Sequence, residues 1–266
     1  MIFVSILLGL FLLYLFILMP RYTKKKNWEQ LSTFNYAHRG LHNDRLPENT
    51  LEAYQKAIDH GYGFEFDVQH TKDNILVVMH DFSLKRACGL DKLVSELTYD
   101  EIKELTVFGS EYHIPLFTDV LKLADGKVPL VIEIKQNSQD CTTCELVSKY
   151  LDSYHGSFCV ESFHPSAVKW FRDHRPDWIR GQLSADFSKD DTKSAWLSLL
   201  LENLCFNIMT RPDFVAYCVE DIHKFSFRIY RDLLKGNTAL WTIRDQKTFT
   251  RYKSSHGVLI FENFII

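Results

Sequence analysis

The chain has no excess charge of either sign: 31 Lys and Arg stand against 34 Asp and Glu, a net charge of −3. That balance makes no field for nucleic-acid phosphates, and no basic stripe runs through the body of the chain, so nucleic acid is not expected as a partner. Cysteine is scarce and irregularly spaced, at positions 88, 141, 144, 159, 205 and 218. No second pair accompanies Cys141-x-x-Cys144 to complete a zinc site, and Cys159 and Cys205 fall in apolar runs that read as buried strands. Six reduced thiols are expected, Cys141 and Cys144 among them as structural residues. Internal repeats and low-complexity segments are missing too. With 46% hydrophobic and 24% charged residues, global disorder, collagen and coiled coil are excluded, and 266 residues suit one large domain such as an α/β barrel.

The first nineteen residues contain no Lys or Arg at all, and only Ser5, Gly9 and Tyr14 interrupt an apolar run that ends at Met19. No A-x-A follows it, so a cleaved signal peptide is disfavoured. At 1.5 Å per residue the run spans roughly 28 Å as a helix, close to a bilayer core of about 30 Å. Residues 1–19 therefore read as an uncleaved transmembrane anchor and residues 20–33 as a basic juxtamembrane linker. Arg21, Lys24, Lys25 and Lys26 follow the run, which puts the remaining chain on the cytoplasmic side and lets Trp28 sit at the lipid interface.

From Phe34 onward short apolar runs alternate with amphipathic stretches, the rhythm of a parallel α/β fold. Strands are expected near Phe34–Ala37, Phe64–Val68, Leu130–Ile134, Phe158–Glu161, Ile179–Gln182, Leu204–Ile208, Leu240–Ile243 and Val258–Phe261. That set suits a closed (β/α)8 barrel over residues 34–266. Asn49 with Glu52, and Thr98 with Glu101, fit helix-starting capping boxes, and Gly61 fits a left-handed helix stop. The long gap before Leu130 predicts a small helical insertion at about 82–115.

Polar residues interrupt these strands in a pattern. Phe64-Glu65-Phe66-Asp67-Val68 alternates, so Glu65 and Asp67 share one face, and Ile132-Glu133-Ile134-Lys135 does the same for Glu133 and Lys135. Acids at the ends of barrel strands face the mouth, where active sites of such barrels lie. Three converging oxygen donors without Cys or His match a hard divalent cation, Mg²⁺ or Ca²⁺. Thr71-Lys72-Asp73-Asn74 is turn-rich and predicts a hairpin centred between Asp73 and Asn74 that pairs Asp67 with His80. Ala37-His38-Arg39-Gly40 ends the first strand, so His38, His80 and Arg39 share the rim, a group able to move protons and hold phosphate.

These motifs, with Pro47-Glu48-Asn49-Thr50, His80-Asp81 and Glu133-Ile134-Lys135, resemble the signature set of glycerophosphodiester phosphodiesterases. Weaker echoes are Ile114-Pro115-Leu116, Ser162-Phe163 and Trp241-Thr242-Ile243. The resemblance runs from about residue 34 to 266. It implies a barrel related to that of phosphatidylinositol-specific phospholipases C, with one divalent cation on Glu65, Asp67 and Glu133. It also implies His38 and His80 as the acid/base pair, Arg39 and Lys135 on the phosphate, and Trp241 lining a glycerol pocket. The family usually has Thr-Asp after its last strand where this chain has Phe261-Glu262-Asn263, which predicts a lost rim contact.

The expected activity is metal-dependent hydrolysis of glycerophosphodiesters to glycerol 3-phosphate and an alcohol at the membrane surface, through a cyclic 1,2-phosphate. A lysophospholipase D-like hydrolase of membrane lysolipids, and a tethered binding protein without turnover, are the alternatives.

Overall fold

The computed structural model describes residues 2–22, 25–188, 192–255 and 257–266. Among these residues nine strands form one sheet: β1 (Asn35–Ala37), β2 (Gly63–His70), β3 (Leu76–Val78), β4 (Leu130–Ile134), β5 (Phe158–Ser162), β6 (Arg180–Ser184), β7 (Phe214–Cys218), β8 (Asn237–Ile243) and β9 (Val258–Phe261). All except β3 are parallel, and pairing of β1 with both β9 and β2 closes them into an eight-stranded barrel. β3 lies antiparallel on the upper part of β2.

The alternation read from the sequence sorts the side chains. Phe64, Phe66 and Val68 point outward into the core shared with the surrounding helices, where Tyr54 of the helix Leu51–Asp59 stacks on Phe64 at 4.5 Å. Tyr36, Val131, Cys159, Phe214, Ala239 and Val258 fill the barrel from within. Trp28 and Leu31 join that inner cluster. They come from a helix, Lys25–Ser32, which closes the lower end of the barrel where a linker was expected. Trp28 is 5% exposed and stacks on Phe214 at 4.7 Å, so it caps the core instead of meeting lipid. Such a ring pair adds about 0.5–1.5 kcal/mol beyond its buried area.

The expected membrane span over residues 1–19 is not found. The first helix is Ile2–Leu18, 17 residues, and among the described residues no helix is long and apolar enough to cross a membrane. Pro20 disfavours helical backbone at Met19, which ends the helix at about 26 Å. Leu18 is buried, Tyr14 donates from its hydroxyl to the Asn203 carbonyl, and Arg211 donates to the Phe16 carbonyl, so the last turn packs on the barrel. The preceding side chains, among them Phe3, Leu8, Leu10 and Leu12, are exposed. Met1 and Lys24, parts of the expected anchor and its basic flank, lie outside the described residues.

Three further expectations shift. Leu204–Ile208 is not a strand: Leu204 adopts left-handed backbone and Asn207 begins a short helix, while the barrel strand is β7, after Pro212-Asp213. Cys205 therefore lies in a connection, half-buried, whereas Cys159 is buried in β5. The hairpin register is one residue off, because Thr71 and Ile75 close a loop centred on Asp73; Val68 pairs with Val78, and Met79 donates to the Asp67 carbonyl. Asn49 does not cap its helix; Thr50 does, accepting from the Ala53 amide. Thr98 with Glu101 forms the expected capping box, and Gly61 the left-handed stop. Within residues 82–115 the short helices Lys85–Cys88 and Tyr99–Ile102 gather a small apolar core of their own around Leu84, Val94 and Ile102.

Candidate active site

β2 and β4 run in register with Asp67 beside Glu133, and Glu133 beside Glu161 of β5. Inward-facing carboxylates thus accumulate at the upper end of the barrel. Glu65, Asp67 and Glu133 are buried with carboxylate oxygens within 4.8 Å of one another, close enough to hold one metal ion. Burial pushes Glu65 well above the usual carboxylate range, and the charges of Asp67 and Glu133 push it further. Burial raises Glu133 too, against the pull of Lys135. Asp67 goes the other way: burial is outweighed by Lys135, His80 and Arg39 and by a hydrogen bond from Asn49.

A hard divalent cation fits this donor set. Among the described residues Asp67 Oδ1 is buried without a hydrogen-bond partner, and so is Glu161 Oε2. Three carboxylates pressed together by burial are the arrangement that a cation stabilises.

Two cations of the chain flank the acids. Lys135 Nζ lies 2.8 Å from Glu133 Oε1 and 3.6 Å from Asp67 Oδ1. Arg39 is held in left-handed backbone, φ 53°, just above β1, where its amide donates to Glu65 Oε2 at 3.0 Å. Its guanidinium reaches Glu48 at 2.9 Å and Asp67 at 3.5 Å. Gly40 makes this turn possible: a Cβ there would stand 2.8 Å from Ala53 Cβ, and its φ is +83°. Asn49 donates from Nδ2 to Asp67 Oδ2 at 2.9 Å and accepts from the Tyr54 hydroxyl at 2.6 Å.

Each histidine has its own carboxylate. His38 Nδ1 is 2.6 Å from Glu262 Oε2, whose other oxygen accepts from Arg244 Nε at 2.7 Å. With Nδ1 so engaged, Nε2 faces the acids, 3.9 Å from Glu65 Oε2. Burial lowers the His38 pKa, and the bond to Glu262 opposes that. His80 Nδ1 is 2.6 Å from Asp81 Oδ1, and Asp81, held down to about 2 by Arg86 and His80 against its burial, is bonded by the Arg86 guanidinium. Arg86 continues to Glu48 at 2.7 Å, which joins the His80 arm to the Arg39 arm. His80 also lies near enough to help lower Asp67 and to oppose, without reversing, the rise of Glu133.

His38, Arg39, Glu65, Asp67, His80, Glu133 and Lys135 are thus brought together. Trp241, half-buried on β8, stands with its ring edge-on to Phe163 at 5.4 Å, and Phe163 meets Phe187 at 6.1 Å, so an aromatic wall lines part of the barrel interior. Its indole Nε1 is buried with no hydrogen-bond partner among the described residues. Glu161, Glu48, Asn49 and Asp81 join the site without having been expected there from the sequence; the strand alternation at Val160-Glu161 carries a signal for the first. Glu262 is the clearest correction, since the residue expected to mark a lost contact is the one that binds His38.

Comparison with known proteins gives a consistent picture. A profile of the glycerophosphoryl diester phosphodiesterase family matches residues 38–213. A glycerophosphodiester phosphodiesterase of Bacillus altitudinis is 38% identical over 107 residues, covering 38% of this chain and 43% of that one. Human lysophospholipase D GDPD1 is 31% identical over 160 residues, covering 54% of this chain and 50% of its own. The chain thus spans about half the length, or less, of these curated relatives. Among solved structures, an Oleispira antarctica phosphodiesterase in complex with the product sn-glycerol-3-phosphate superposes with a TM-score of 0.69 at 20% identity, covering 86% of this chain and 92% of that one, which bears on the fold.

Proposed function

Because this chain belongs to the glycerophosphoryl diester phosphodiesterase family, we propose that it hydrolyses glycerophosphodiesters to glycerol 3-phosphate and an alcohol. One observation carries the reading: three buried carboxylates within 4.8 Å, flanked by Arg39 and Lys135, with two histidines each oriented by a separate acid. Glu65, Asp67 and Glu133 would hold one divalent cation, Mg²⁺ or Ca²⁺. When bound, such a cation polarises phosphoryl oxygen and eases loss of a hydroxyl proton.

The residues of the chain do the rest. Arg39 and Lys135 meet the charge that grows on the phosphate oxygens. Trp241 and Phe163 offer an apolar wall to the glycerol carbons. The hydroxyl on glycerol C2 is held near the phosphorus within the same molecule, so its attack gains a high effective molarity. One imidazole takes its proton while the other protonates the departing alcohol. The resulting cyclic 1,2-phosphate is opened by water with the two roles reversed. Glu262 and Asp81 fix the ring orientation that this exchange needs.

A second observation favours action at a lipid surface. The N-terminal helix leaves Phe3, Leu8, Leu10 and Leu12 exposed, and Trp196 and Leu199 add further apolar surface. Contact of this helix with a membrane, with the barrel on the cytoplasmic side, would bring lysolipids within reach and allow a lysophospholipase D-type cleavage.

A 2-deoxy analogue of a glycerophosphodiester tests the mechanism, and lysophosphatidylcholine beside glycerophosphocholine tests the substrate class. The analogue should bind without being cleaved; cleavage near the natural rate would remove the cyclic intermediate. A strict acyl requirement would favour the lysolipid reading over the first.

A further inference from the structure

The Cys141-x-x-Cys144 pair has no part in the hydrolysis proposed above, yet its surroundings are not those of two inert thiols. Cys141 precedes the helix Thr142–Leu151 with non-helical backbone, φ −104° and ψ 20°, and Cys144 lies in its first turn. Cys141 is half-buried and Cys144 fully buried. One amide engages both: Gln136 Nε2 donates toward Cys141 Sγ at 3.8 Å, and the Cys144 thiol donates to Gln136 Oε1 at 3.7 Å. Gln136 directly follows Lys135, and both line a cavity of about 180 Å³ with Gln69, His70 and Thr143.

We propose that Cys141 and Cys144 are a redox-active dithiol beside the mouth of the barrel, with Cys141 as the attacking thiol and Cys144 as the resolving one. The oxidant is a low-molecular-weight disulfide, RSSR. Cys141 thiolate attacks one sulfur, forming Cys141–S–SR and expelling RS⁻. Cys144, losing its proton to solvent, then attacks Cys141 Sγ, forming the internal disulfide and expelling a second RS⁻. The protein loses two electrons and two protons, and RSSR becomes two RSH.

The order of attack follows from access and from the pair's asymmetry. The Cys144 thiol, with help from Gln136 and Ser166, lowers Cys141 to about 6, whereas burial raises Cys88 and Cys205, and raises Cys218 to about 12. Cys141 therefore carries the larger share of thiolate at neutral pH, and its half-exposed position leaves it open to attack where Cys144 is covered. Closing the disulfide removes the thiol donor that Gln136 Oε1 accepts from, so the residue next to Lys135 loses one of its ties.

The test uses the full chain. After incubation at pH 7 with oxidised glutathione and alkylation, peptide maps of the wild type should contain a Cys141–Cys144 disulfide that dithiothreitol reverses. In Cys144→Ser, whose hydroxyl can still donate to Cys141 Sγ, a glutathione adduct should accumulate on Cys141, at least about fivefold faster than on Cys88 or Cys218 once the weaker nucleophilicity of a low-pKa thiolate is allowed for. Recovery of both Cys141 and Cys144 alkylated from the wild-type chain would overturn the proposal, and so would adduct formation on Cys141 no faster than on Cys88. The wild-type map needs no substitution, so it decides the matter even where Cys144→Ser fails to fold.

Discussion

Asn49 Nδ2 donates to Asp67 Oδ2 at 2.9 Å, and the same side chain is held from behind by the Tyr54 hydroxyl. Asn49, beside the start of the helix Leu51–Asp59, thus orients an acid of the proposed metal group. Asn49→Ala should weaken divalent-cation affinity by about 10–100-fold, the usual cost of losing an outer partner of a metal ligand. Calorimetric titration with Mg²⁺ or Ca²⁺ reads it, and unchanged affinity would show that Asp67 needs no such support.

Glu161 supplies a pH test. Burial, then Glu133 and Asp67, raise its folded-state pKa well above the ordinary value. A carboxyl raised on folding binds more protons folded than unfolded, so its contribution to stability is greatest at low pH. That contribution is lost as pH rises from about 4.3 through the folded value. In chelator, Glu161→Gln should melt higher than the wild type at pH 7, and the gain should vanish by about pH 4. A variant that melts lower at pH 7 would contradict this.

His38 and His80 should separate from the acids in their effect. Replacing either with Ala is expected to leave cation binding nearly intact and to lower turnover by about a hundredfold or more, the scale of general acid–base catalysis. Replacing Glu65, Asp67 or Glu133 with Ala should lose the cation itself. Titration and turnover measured on the same preparations check both halves.

The N-terminal helix can be cut, but the place matters. Tyr14 and Leu18 pack on the barrel, whereas the residues before Tyr14 are largely exposed. Removal of residues 1–13 should leave folding and turnover of a water-soluble diester unchanged while abolishing sedimentation with lipid vesicles. Retained vesicle binding would place the lipid contact elsewhere.

How much of this was legible in the sequence depends on how local each signal was. Strict alternation at Phe64–Val68 and Ile132–Lys135 is a property of the strand itself, so the faces of Glu65, Asp67 and Glu133 followed directly. The Leu204–Ile208 run carried the same apolar signal as a strand, but Leu204 turns into left-handed backbone, and the true strand begins after Pro212. The hairpin was found and its register missed by one residue, because side-chain bonding by Thr71 sets the loop length. Glu262 and Trp28 depended on contacts far along the chain, with His38 and Phe214, and neither position has a local pattern that announces its partner.

The central claim is that a cation held by Glu65, Asp67 and Glu133 is required for cleavage of the phosphodiester. Phosphorus NMR of glycerophosphocholine with the full chain tests it directly, before chelation, after removal of chelated metal, and after addition of Mg²⁺ or Ca²⁺. The account predicts glycerol 3-phosphate at the start, none in the stripped protein, and restored release on adding metal to the wild type but not to Asp67→Ala. Undiminished release from the stripped wild type, or from Asp67→Ala, would contradict it.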